Sequence, residues 1–299
     1  MAWYSYAIIA AVAIAAVGLL QKRNLQVEHS TEYVTLFSAA KLLIFLLLFG
    51  TKIEWRVTAE QFVWLVLNGM MLSLAFYFIA KAMRRQEIST VMPVLSLEAG
   101  LVALLALIFL GEKIHGGQWL GLSLMLIGTY VLELRHQTPG LVSHWSPRHI
   151  FDPLRRLVHQ PGGSFAIAGL ICFSISSVLD RFNLLRVPLT TYLAYLFTTM
   201  TIFYTLRFFA IKEKLVVFQR GRRLLMLSII AIAGLHLLSN YSQAKATALA
   251  AVGLVIALKR LSTLLDVIIG GRFFHERNLM QKTVASLIML IGVYFVVAT

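Results

Sequence analysis

Long apolar runs separated by short polar connections set the pattern of this chain. Runs able to cross ~30 Å of hydrocarbon as a helix fall at 3–20, 33–49, 62–82, 88–110, 118–134, 164–179, 190–209, 224–243, 248–270 and 279–297. Backbone polar groups in lipid must be satisfied within the segment that carries them, so the ten runs predict ten transmembrane helices. A membrane barrel built of ~10-residue alternating strands is excluded. Most connections are too short to fold by themselves, which leaves no soluble domain. The first run lacks the basic leader of a signal peptide and its pattern recurs along the chain, so it is predicted to be the first span.

One connection differs from the rest. Residues 135–163 hold Pro139, Pro147, Pro153, Pro161 and Gly162-Gly163, the punctuation of a linker. On either side the chain repeats itself. At an offset of 164, Tyr77 matches Tyr241, Ala80-Lys81-Ala82 matches Ala244-Lys245-Ala246, Glu112 matches Glu276, and Met125 to Gly128 matches Met289 to Gly292. Earlier in each half the offset is 159, pairing Asn24-Leu25 with Asn183-Leu184, Thr31 with Thr190 and Tyr33 with Tyr192. The predicted organisation is a first repeat at 1–138 (spans 1–5), an interfacial linker at 139–163 and a second repeat at 164–299 (spans 6–10). Five spans per repeat is an odd number, so the second copy enters the membrane in the opposite sense. The expected fold is all-α, two inverted five-helix repeats around a central cavity, an architecture used by many secondary transporters.

Composition agrees with a bilayer as solvent: the chain is 59% hydrophobic and 13% charged, with a mean hydropathy of +0.80. Its net charge of +14 lies mostly in the connections, where anionic head groups are met, and does not predict a nucleic-acid partner. Loops on one side carry 18 Lys or Arg and those on the other side 6. The rich side is expected to be cytoplasmic, with both termini outside, in a bacterial or archaeal inner (plasma) membrane. Within the linker, Ser146 to Gln160 mixes Ile150, Phe151, Leu154, Leu157 and Val158 with Arg148, Arg155 and Arg156, as an amphipathic tether on the head groups does. Cys172 is the single cysteine, so neither an intrachain disulfide nor a thiol-pair metal site is expected.

The residues most costly to bury carry the functional reading. An ionisable side chain at membrane depth costs about 2.5–3.5 kcal/mol or more on insertion scales. Lys41 lies midway along the second run, Glu98 midway along the fourth, Lys259 and Arg260 midway along the ninth, and Asp266 about two turns further on. The offset of 164 sets Glu98 against Ser262, one turn from the two cations, and Lys259, Thr263 and Asp266 share a helical face. These five ions sum to +1, a charge that an anionic or zwitterionic substrate would neutralise. Lys41, Glu98, Lys259, Arg260 and Thr263 are the expected substrate-binding residues, and Glu98 and Asp266 the expected coupling residues. Arg supplies a planar fork and Lys a point charge for a carboxylate or phosphate. The plainer alternative is that Glu98 neutralises Lys259 or Arg260 as interhelical glue. His236 reads as a packed residue, Gly117 and Gly121 as a close helix contact, and Glu112 and Glu276 as span-end residues.

Three stretches resemble the drug/metabolite transporter superfamily, specifically its ten-span EamA-type members. They are Ala80-Lys81-Ala82 through Pro93, then Leu110-Gly111-Glu112 with Gln118, Gly121 and Gly128, and the second-half copies around His275-Glu276 and Gly292. The resemblance implies a basket of two inverted repeats with a central cavity. Leu258-Lys259-Arg260 is similar to the Lys-Arg pair of the related phosphate translocators, where it contacts the substrate's phosphate. Glu98 departs from the family pattern, which is typically apolar there. The expected activity is secondary-active export or exchange of small polar metabolites by alternating access, with a small-molecule substrate, protons as candidate coupling ions, lipid as surroundings, and no cofactor or metal. The alternatives are transport of amino acids or cationic drugs with purely structural buried charges, a channel, or a membrane interaction protein. No nucleophile motif, metal-spaced cluster or phosphate-cradling glycine loop predicts an enzyme.

Overall fold

The computed structural model describes residues 2–22, 31–83, 85, 91, 94–95, 97–133, 162–211, 223–262, 265 and 279–298. Among the described residues there are ten α-helices and no strand: α1 Trp3–Lys22, α2 Thr31–Phe49, α3 Ala59–Met83, α4 Glu98–Leu110, α5 Gly116–Glu133, α6 Gly163–Leu184, α7 Leu189–Ile211, α8 Arg223–Leu249, α9 Val252–Lys259 and α10 Leu279–Ala298. A 3₁₀ turn, Gly50–Lys52, extends α2. One helix falls on each predicted run. Thr263, Asp266 and Glu276 lie outside the described residues, as does the predicted linker up to residue 161.

Among the described residues, four segments are long and apolar enough to cross a membrane: Val34–Lys52, Ala59–Ala82, Gly163–Leu184 and Leu189–Ala210. Their apolar character runs all round, as lipid contact requires. Leu43, Leu47 and Leu48 of α2, Ile108 and Phe109 of α4, and Leu290, Ile291 and Tyr294 of α10 are all exposed, a surface that water would not tolerate.

Two differences from the sequence pattern have physical causes. The sixth run ends at 179 on hydropathy, yet α6 continues to Leu184 through Asp180 and Arg181, because both side chains find hydrogen-bond partners there. Conversely, α4 and α9 are only 13 and 8 residues long, rising about 20 and 12 Å. Each is interrupted within its apolar run. Leu97 sits in a turn whose N–H bonds to Val94 O at 3.1 Å, and the Arg260 N–H is shared between Ile256 O at 3.2 Å and Ala257 O at 3.0 Å. Such 3₁₀-type bonds tighten a helix end. The two interruptions fall within one residue of each other under the repeat offset of 164.

The chain divides into two compact units, Met1–Ser73 with Leu179–Leu249, and Leu74–Val178 with Ala250–Thr299. Each unit draws on both halves of the sequence, and of the three boundaries two fall inside α3 and α6 and the third between α8 and α9. In the first unit α1 packs on α8, and α2 on α7 and α8, around Phe45, Leu65, Tyr192, Phe197 and Leu237. In the second, α5 packs on α10, and α9 on α4 and α5, beside a core of Ile79, Val91, Val94, Leu95 and Leu170.

Contacts within the units exchange under the repeat. On α5 and α10 a Cβ added to Gly121 would lie 2.6 Å from Gly292 O, and one added to Gly128 would lie 3.0 Å from Ala285 O. The offset converts Gly121 into Ala285 and Gly128 into Gly292, so one contact is the image of the other. Small residues allow this backbone approach. Likewise Ser239 Oγ donates to Ala10 O at 2.9 Å. The image of that pair, Ala75 with Gly169, is also a close approach, 3.4 Å from Ala75 O to an added Cβ.

Candidate functional site

Helix α4 opens on Glu98, so its carboxylate stands in the first turn, where the helix dipole favours negative charge; α9 ends at Arg260, where the dipole favours positive charge. The two side chains meet. Arg260 Nη2 donates to Glu98 Oε2 at 2.5 Å and to Leu95 O at 2.7 Å. Ser177 Oγ of α6 donates to the other carboxylate oxygen at 3.3 Å. Glu98 retains 13% of its side-chain exposure and Arg260 23%. This is a charge-assisted pair with limited access, set between two helix ends inside apolar segments. The guanidinium has five N–H donors, more than these two acceptors use.

Of the other residues singled out by sequence, Lys259 is half-buried beside Arg260 and Ser262 half-buried beyond it. Glu98 pairs with Arg260, one of the two cations that the glue reading offered. Lys41 belongs to the first unit, 1% exposed on α2. Its ammonium lies 4.4 Å from the centroid of Phe197 and 5.5 Å from that of Phe37, contacts whose electrostatics favour a desolvated cation. Phe37 in turn meets the His236 ring edge-on at 5.2 Å.

A second buried polar group was not expected. In the first unit Asp180 Oδ1 accepts from Asn68 Nδ2 at 2.8 Å and from Tyr192 OH at 2.5 Å. Arg181, next in sequence, donates to Thr247 O at 2.5 Å. The signal was the length of the sixth run: 16 residues, 164–179, fall short of the ~20 that a span needs, so the helix had to carry Asp180 inside.

Each repeat also holds a lysine against aromatic rings. Lys81 Nζ is 4.3 Å from the Phe165 centroid and 5.6 Å from that of Tyr77, and Lys245 Nζ is 5.8 Å from Tyr6 and 5.9 Å from Tyr241. The lysines and their own-helix tyrosines correspond at the offset of 164, and Tyr6 corresponds to Phe165 at 159. Among the described residues no group of His, Cys, Asp and Glu is placed to hold a metal ion.

Long apolar helices with exposed apolar faces are what an integral membrane protein presents to lipid. Residues 1–134 match the EamA-like transporter family. That likeness covers the first 134 of 299 residues and agrees with the resemblance of the motifs to the drug/metabolite transporter superfamily. A solved crystal structure, 16% identical, superposes on 99% of this chain and 96% of its own with a TM-score of 0.76; at that identity the likeness is one of fold. No curated protein matches the sequence.

Proposed function

We propose that this protein is a secondary-active carrier of small anionic or zwitterionic metabolites, working by alternating access between two inverted repeats of five spans. One observation carries the reading: Arg260 and Glu98 pair at interrupted helix ends within apolar segments. Broken helices whose ends face polar groups are how such carriers build a substrate site in a membrane. The exchange of contacts under the repeat supports two interchangeable halves.

On this reading an incoming carboxylate or phosphate takes the place of Glu98 on the Arg260 fork, Lys259 adds positive potential, and Thr263 adds a hydroxyl. Glu98 balances the empty site and, with Asp266, is the candidate proton carrier. Metabolite binding is screened by thermal shift on the purified protein, and the hits are measured as flux in proteoliposomes with and without a pH gradient. Saturable exchange that loses affinity in Arg260→Ala or Lys259→Ala supports the proposal; unchanged affinity in both variants overturns the anion site. Accumulation driven by the gradient that survives Glu98→Gln removes Glu98 as the coupling group.

The pair is also what interhelical glue would look like, and the two readings separate by measurement. Glue predicts that Arg260→Ala lowers stability and leaves affinity alone.

A further inference from the structure

Helices α4 and α9 run antiparallel and are joined at both ends. At one end lies the Arg260–Glu98 pair. At the other, Gly111 turns the chain out of α4 in the left-handed region, φ 63°, and returns its N–H to Ala106 O. The N–H of Glu112 goes to the same carbonyl at 3.3 Å. That turn aims the Glu112 carboxylate at the N–H of Val252, 3.1 Å from one oxygen and 3.4 Å from the other. Val252 is the first residue of α9, and Ala251 before it supplies no side-chain cap. Helix α9 therefore borrows its N-terminal cap from the end of α4, with the sign of charge that a helix start favours. Between the two links a Cβ added to Gly253 would lie 2.6 Å from the Cβ of Ala103, so the helices touch at the backbone.

The two ends differ in kind. The donor to Glu112 is a main-chain N–H of a residue with 0% exposure; no dissolved anion reaches it without unwinding the first turn. The donor to Glu98 is a partly exposed guanidinium, for which an oxyanion can compete. From Val252 to Arg260 the axis rises about 12 Å, so a shift at the capped end carries through this short helix to the guanidinium.

We infer that Glu112 is a positioning residue: it pins the start of α9 and thereby sets Arg260 against Glu98, making the pair of helices a clamp fixed at Val252 and releasable at Arg260. The geometry holds whatever the cargo; its consequence for transport rests on the reading of Arg260 as the anion site.

The test uses the purified full chain in detergent micelles. Glu112→Ala should speed amide hydrogen exchange over residues 252–255 by about fivefold, the population change that a lost cap produces. In the Glu112→Ala background the melting shift caused by Glu98→Gln should fall to less than about half its size in the wild type, because contacting groups are non-additive. Glu112→Gln keeps an acceptor oxygen and should preserve both the protection and the coupling. Should Glu112→Ala not fold, Glu112→Asp, which withdraws the carboxylate by one methylene, is measured in its place. Equal Glu98→Gln shifts in the two backgrounds, or unchanged exchange at the start of α9, would overturn the clamp. Neither readout involves a substrate, so failure here leaves the transport reading standing, and failure of that reading leaves the cycle informative.

Discussion

Arg260→Ala removes the guanidinium and leaves Glu98 with Ser177 and its place at the head of α4. Removing one partner of a buried pair typically destabilises by about 3–5 kcal/mol, because the remaining charge stays desolvated. Here two effects lower the figure. The Ser177 hydroxyl still donates to the charge at 3.3 Å, a long bond at the weak end of about 1.5–3 kcal/mol for charged acceptors, and a first-turn carboxylate gains about 0.3–1 kcal/mol from the helix dipole. Loss of the bond from Arg260 to Leu95 O works the other way. The net expectation is a destabilisation of about 3 kcal/mol. Glu98→Gln added to Arg260→Ala removes the stranded charge and should bring stability back to within about 1 kcal/mol of wild type, since a pair deleted whole is often neutral. Reversible unfolding in mixed micelles measures both variants. A double variant no more stable than Arg260→Ala alone would refute the argument, because the penalty would then not come from an uncompensated carboxylate.

Tyr192→Phe deletes one of the donors to Asp180 Oδ1 and should cost about 1.5–3 kcal/mol, the range for hydrogen bonds to charged groups; in the Asp180→Asn background the same change should cost markedly less. Gly121→Leu drives a side chain into the Gly292 carbonyl and Val296 and should lower stability by at least about 1–3 kcal/mol in the same unfolding assay, the range for overpacking, whereas Gly50→Ala, where an added Cβ meets nothing within 4 Å, should be nearly silent. Lys41→Met keeps the bulk of a buried side chain without its charge, so stability should stay within about 1.5 kcal/mol of wild type in the same unfolding assay.

The positions of the helices were legible because an apolar run in lipid has one way to satisfy its backbone; each of the ten described helices falls on a predicted run. Their ends were less legible. Hydropathy stops a span at its first charges, and so it cut α6 at 179, while the fold supplied Asn68, Tyr192 and Thr247 as partners for the pair that follows. Hydropathy also ran straight through residues 97 and 260, where the backbone tightens, because the residues on either side of each turn are mostly apolar. For the site, the offset of 164 put Glu98 one turn from Arg260, and the structure brings these two together. It gave no hint of Ser177, whose contact depends on how α6 crosses α4. That Glu112 serves a helix end was readable from its place after Gly111; which helix it serves was not, since Val252 lies 140 residues away in sequence.

The two readings of the Glu98–Arg260 pair, glue and site, are less opposed than they first look. A helix that ends inside an apolar segment leaves N–H or C=O groups without intrahelical partners, and in lipid each such group costs several kcal/mol unless something meets it. In the second unit three of these ends are met by charge of the sign the dipole favours: Glu98 at the start of α4, Glu112 at the start of α9, Arg260 at its end. The charges make the breaks tolerable, and the breaks give the charges somewhere to sit. At Glu112 the arrangement is complete, a carboxylate on a buried main-chain N–H. At Arg260 it is held by a side chain that bonds both Glu98 and the Leu95 carbonyl and keeps 23% of its exposure. On the proposed anion-site reading, an anion arriving there would stand in for Glu98 without leaving the helix end bare. On that reading the feature that lets α9 stop where it does is also what would let its end exchange one carboxylate for another.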